Sequence, residues 1–310
     1  MDYLEIEIDS TYATISDSTL SPKDNPVLNV GRTLTNVVGA KIMEVNIPFS
    51  YYVISDRASA VNGVPENRLQ LFWSVLDQYD IFIPPGNYTG TSLAAVIQTG
   101  LQAAIVAFAT ATFAPPATAS CVFSTSTGKF TMTITQTAPT FPANAQNLVF
   151  FYAPELGTVL GFPGFTVNWT PAQSAIYTVT STSIAQVTGP NNLYVNSKIL
   201  GNICKAYIPE SILSVGETNP QMAMVPINVN PGGLIWWQDP SPQEVFDTKN
   251  LFSLQKIDFY ITAGTDPRPL LFNGLGYQIK LVLFIKYAEQ SFSQSGTIGQ
   301  NRAVLQIRPT

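Results

Sequence analysis

At 310 residues the chain can bury a sizeable core, yet only 11% of its side chains are charged against 45% apolar, well below the usual quarter for a solitary soluble protein. The net charge of −5 and the lack of any long basic run remove the phosphate neutralisation that nucleic-acid binding requires. The absence of histidine removes Ser-His-Asp and Cys-His nucleophile pairs and the usual zinc ligands.

In chain order, the first element is a clean alternation at residues 3–9, with Leu4, Ile6 and Ile8 on one face and Glu5, Glu7 and Asp9 on the other, which predicts a half-buried strand. Residues 10–25, rich in Ser, Thr, Asp and Pro, read as a crossing loop. Runs at 37–47 and 69–75 are strand-like. The stretch IPPGNYTGTSLAAVIQ at 83–98 then turns a strand into a helix. Pro84 and Pro85 stop the strand, Gly86 and Asn87 make the turn, and Thr89 or Thr91 caps a helix. Its apolar positions are Leu93, Val96, Ile97, Leu101, Ala104, Ile105 and Phe108, at helical spacing. That window is short of a membrane span and broken by Gln98, Thr99, Gly100 and Gln102, so no membrane insertion is expected. No secretory signal precedes it, since MDYLEIEIDS is acidic and alternating.

Residues 121–136 predict a hairpin around STSTGK, and Leu156, Val159, Leu160 and Phe162 a short helix ending at Gly161 or Gly164. Helix, hairpin, strand and short helix together read as a compact α/β insertion between β-rich flanks. Towards the C-terminus, Ile257, Phe259 and Ile261 alternate, as do Ile279, Leu281, Leu283 and Ile285. Here Val282 and Phe284 make the second face of the strand apolar too, as expected where both faces are covered. Strands at this spacing with long Pro/Gly loops predict a two-sheet sandwich with jelly-roll topology among the options. Residues from Gln290 onward are polar and read as an extended tail.

Candidate chemistry is sparse. Glu5 and Glu7 share one strand face and read as a solvated edge. No spacing of carboxylates argues for a hydrolase, and neither GxxxxGK[ST] nor GxGxxG occurs. Cys121 and Cys204 match no metal spacing; they read as two buried thiols, with one bridge as the alternative. Trp236 and Trp237 are either a buried interface or core, or an exposed aromatic platform. No enzyme activity and no cofactor or metal are expected.

Read in order, IDSTY (8–12), AKIMEVNIPFSYYVIS (40–55), NRLQLF, IPPGNYTGTSLAAVIQTGLQ, STSTGKFTMTI, LGTVLGFPG and NLFSLQKIDFYITAGTDPRPLLFNGLGYQIKLVLFIKY together resemble the penton, or minor capsid, proteins of virophages and polinton-like viruses. Ala13 stands where many such sequences follow the IDS-x-Y element with a basic residue. The resemblance implies a mainly β chain, a single jelly-roll β-sandwich with an inserted small α/β domain. Residues 1–84 and 170–289 would form the sandwich, 85–169 the insertion and 290–310 a C-terminal tail. It also implies a virion role, with a homopentamer at each five-fold vertex contacting major capsid protein trimers. Val282, Phe284, Trp236 and Trp237 are the candidate interface residues. The alternative is a β-sandwich attachment or carbohydrate-binding protein with Trp236, Trp237 and the insertion as its outer surface.

Overall fold

The computed structural model describes residues 2–13, 24–59, 62–72, 78–109, 117–136, 148–162, 166–169, 171–173, 176–201, 221–239, 252–264, 266–286 and 302–306. In chain order the elements are β1 (Asp2–Asp9), β2 (Val27–Pro48), β3 (Arg68–Phe72), β4 (Gln78–Phe82), α1 (Gly90–Ala109), β5 (Ala117–Ser124), β6 (Lys129–Gln136), β7 (Leu148–Tyr152), α2 (Pro154–Leu160), β8 (Thr166–Trp169), β9 (Pro171–Gln173), β10 (Ile176–Thr180), β11 (Asn192–Asn196), α3 (Lys198–Gly201), β12 (Gln221–Pro226), β13 (Leu234–Gln238), β14 (Phe252–Asp258), β15 (Tyr260–Ala263), β16 (Gln278–Ile285) and β17 (Arg302–Gln306). The chain is mainly β and divides into two units, Met1–Tyr51 with Pro190–Thr310, and Tyr52–Gly189.

The first unit is a sandwich of two sheets, the larger organised around one long strand. β2 pairs through its second half with β16 and β13, and through its first half with β14. Asn36, at φ 61°, sits where one set of pairings gives way to the other; asparagine tolerates the left-handed region better than most residues. One sheet therefore runs β13–β2–β16–β1. β14 also pairs with β2 in that sheet, while β12–β11–β15 form a separate three-stranded sheet; β14 and β15 are separated only by Phe259, whose N–H donates to the Pro26 carbonyl. Residues of both sheets bury one common core, as in a jelly-roll β-sandwich. The alternation read in β1 is realised: Leu4, Ile6 and Ile8 are buried in a core shared with Ile42, Val45, Ile47, Leu193, Val225, Phe259, Ile279, Leu281 and Leu283. Residues 14–23 of the expected crossing loop lie outside the described residues. Its start is a short 3-10 turn, Ser10–Tyr12, where the Asp9 carboxylate accepts from the Thr11 N–H at 2.9 Å.

The second unit leaves the sandwich after Tyr51 and returns at Pro190, in the connection from β2 to β11. It contains sheets ordered β4–β3–β7–β8 and β5–β6–β10–β9. Helix α1 forms where its spacing predicted, burying Leu93, Ala94, Ile97, Leu101, Ala104 and Ile105; Val96 is half-buried, and the Phe108 side chain lies outside the described residues. Thr89 rather than Thr91 is the cap. Its Oγ1 accepts from the Ser92 N–H at 3.1 Å, while Ser92 Oγ accepts from the Thr89 N–H at 2.9 Å, a reciprocal arrangement of the capping-box kind. The hairpin β5–β6 is as predicted, and α2 ends at Gly161 in the left-handed region, φ 77°, as a glycine C-cap does.

Two expectations are corrected. The unit boundaries fall at 51/52 and 189/190, not at 84/85 and 169/170, because β3 pairs with both β4 and β7, and β10 with β6, all inside the second unit. Hence IPPGNYT is an internal corner of the insertion rather than its entrance. A β-carbon at Gly86 would meet the Tyr88 ring at 3.4 Å, an ordinary contact, so the turn does not need glycine there for space. Gly86 instead bridges Ile54 through two backbone hydrogen bonds of 2.9 and 3.1 Å. In the tail, residues 302–306 form β17, which adds parallel to β1; the rest of 290–310 lies outside the described residues. Strands β10 to β13 went unread in the sequence.

Cys121 is a buried free thiol; Cys204 lies outside the described residues. Burial pushes the Cys121 thiol up to about 12 from an ordinary value of 9.0. The unfolded chain therefore ionises this group near pH 9 and the folded chain only near 12. Stability tied to Cys121 is intact below pH 9 and is lost as pH rises towards 12. Denaturant titrations at pH 8 and pH 11 are expected to show this loss, and Cys121→Ala to reduce it. In the folded protein at pH 8, Cys121 is expected to resist thiol reagents.

Candidate assembly surface

Because Ile279, Leu281 and Leu283 of β16 face the core, Gln278, Lys280, Val282 and Phe284 line the opposite face. Register extends this face in rows. Asp9, Gln278, Asn46 and Trp236 make one; Glu7, Lys280, Glu44 and Gln238 the next. Glu5, Val282 and Lys41 follow, then Tyr3, Phe284 and Gly39. The first two rows are polar and hydrogen-bonded. Gln278 Nε2 donates to Asp9 Oδ2 at 3.0 Å, and Trp236 Nε1 donates to Glu44 Oε1 at 2.9 Å. Burial works to raise the Asp9 carboxyl, but hydrogen bonds from Thr11 and Gln278 outweigh it and hold the group below its ordinary value.

Apolar and paired groups make up the last two rows. Val282 is only 6% exposed. Beside it in register, Lys41 is buried and its Nζ lies 3.0 Å from Asp239 Oδ2, and Lys280 Nζ lies 3.7 Å from Glu5 Oε2. Phe284 and Tyr3 are half-buried. Val282 is thus covered on this face too, within the chain itself. Phe284 keeps a partly open face.

Trp236 and Trp237 do not form one platform. Consecutive strand residues point to opposite faces; Trp236 is 54% exposed on the outer face, whereas Trp237 packs against the sandwich core. The structure thus places Val282, Phe284 and Trp236 on one sheet face, in different rows, and removes Trp237 from it. The Lys41–Asp239 pair was not legible, since the two residues are far apart in sequence; a lysine inside the apolar run VVGAKIMEV was the one available signal.

Elsewhere, a groove of about 620 Å³ along α1 is lined by Gln98, Thr99, Gln102, Ala103, Val106 and Ala107, none of them titratable. Gln98 and Gln102 have a structural task. Their Oε1 atoms accept from the Cys121 and Ala119 N–H groups at 3.2 and 2.9 Å, covering the outer edge of β5, which would otherwise expose strand donors. No group of three or more His, Cys, Asp or Glu positioned to hold a metal occurs among the described residues.

No family model and no curated protein matches the chain. Among solved structures, it is similar to the mavirus penton protein, with a TM-score of 0.41 and 12% identity over 92% of this chain and 99% of that one. It is also similar to a chain of the Sputnik virophage, with a TM-score of 0.40 and 11% identity over 92% of this chain and 98% of that one.

Proposed function

We propose that the chain is a structural capsid protein, the penton subunit of a virophage-like or polinton-like virion. Five copies would close a five-fold vertex and contact major capsid protein trimers. The observation that carries this reading is the jelly-roll-type β-sandwich with a separate unit inserted between β2 and β11, the architecture that the ordered sequence signatures imply. Two further features support it. The surface is poor in charge, which lowers the desolvation cost of packing copies together. The outer sheet face also offers Phe284 and Trp236, partly or largely exposed, as apolar anchors of the kind that dominate interfaces.

Mass photometry and electron microscopy of the purified protein test the reading: the expected particle has five times the 33.7 kDa chain mass and five-fold symmetry. Phe284→Ser is expected to cost the isolated subunit no more than about 1 kcal/mol, since only part of the ring is buried, while reducing the pentamer fraction. A chain that stays monomeric at every concentration overturns the proposal. The attachment reading now rests on exposed Trp236 alone; glycan-array binding abolished by Trp236→Ala would favour it.

A further inference from the structure

β17 sits on the edge of β1, Tyr3 pairing with Arg302 and Glu7 with Gln306. The strand before it, β16, ends at Ile285, which pairs with Asp2 on the other side of β1. The end of β16 and the start of β17 are thus two strand spacings apart, about 10 Å, a gap that about three or four extended residues would bridge. Sixteen residues, 286–301, separate them, enough contour for about 50 Å. β17 is the edge strand of the sheet β13–β2–β16–β1–β17, and among the described strands its ladder partner is β1.

From this arrangement we infer that β17 is an exchangeable strand, which in the assembled protein adds to β1 of a neighbouring copy. This rests on the reading that copies of the chain assemble. The ladder formed is the same whichever chain supplies the strand, so exchange loses no hydrogen bond; this is domain swapping at its least costly. Within one chain, β17 covers the β1 edge and guards it against open-ended pairing. Once copies stand side by side, the long connection lets a neighbour's strand compete at high effective concentration. Head-to-tail exchange around a ring then ties each subunit to the next.

A double variant, Glu7→Cys with Gln306→Cys, tests the inference at a register pair close enough for a disulfide. After oxidation, native mass is read by mass photometry and covalent connectivity on a non-reducing denaturing gel, with the unsubstituted chain, carrying Cys121 and Cys204, as the control. Exchange predicts five-chain particles whose denatured chains run as covalent multimers that reduction collapses. Five-chain particles containing only internally bonded monomers overturn the inference while leaving the proposed function standing; a native monomer overturns both. Val304→Pro, which puts a proline in the middle of β17, supplies a second readout. It is expected to raise the concentration at which the ring dissociates by about a hundredfold, and an unchanged midpoint counts against exchange.

Discussion

Leu281→Ala is expected to lower the unfolding free energy of the isolated subunit by about 2–5 kcal/mol, the range for a leucine truncated in a core that cannot collapse around the void. Leu281 is 0% exposed and lies in register between Ile6 of β1 and Ile42 of β2. Its neighbours are therefore held by strand pairing on both sides and have little room to relax. Denaturant unfolding monitored by tryptophan fluorescence is the measurement, and a loss under about 1 kcal/mol would mean that Leu281 does not fill the sandwich core. Phe284→Ser on the same strand supplies the contrast, since its face is only partly covered. Similar losses for the two would remove the distinction between the core and outer faces of β16.

The second large effect is expected on the outer face. Asp239→Ala leaves the Lys41 ammonium, whose side chain is 4% exposed, in a buried position without its carboxylate partner, and such a change costs about 3–5 kcal/mol. A buried ion pair is itself of modest net worth, because desolvating both charges consumes much of their attraction. Replacing both groups is therefore expected to be milder than replacing one. The combination of Lys41→Met with Asp239→Ala should recover most of the stability lost by Asp239→Ala alone, read as the difference in unfolding midpoint. If the double variant is as unstable as the single one, the pair is not the source of the loss.

Both residues show how far one strand can be read without its partners. Local alternation identified β1, the C-terminal strand and the helix at 90–109, because each writes the period of a buried face directly into neighbouring residues. The same alternation singled out Val282 as facing away from the core but not what covers it. Coverage depends on residues distant in sequence. For Trp236 and Trp237, adjacency suggested a common platform, yet a strand sends neighbours to opposite sides. Once β13 is paired with β2, one ring is committed to the core and the other to the outside. The domain limits were misplaced for a related reason: Pro84 and Pro85 mark a real corner, but whether β3 and β4 lie inside or outside the insertion depends on pairing with β7, more than 70 residues later.

By itself, then, the sequence determined the mainly β class, the alternating faces of β1 and β16, a helix capped at Thr89 or Thr91, a short helix stopped at Gly161 or Gly164, and a chain with few charges. These are properties of short windows, set by side-chain period, backbone preference and composition. Only the tertiary structure decided that β2 pairs with β14 as well as with β16 and β13, that Lys41 is buried beside Asp239, that Gln98 and Gln102 close the edge of β5, and that residues 302–306 lie parallel on β1. Each of those depends on which distant backbone or side-chain group arrives opposite, and a hydrogen-bond donor carries no local mark of the acceptor it will meet.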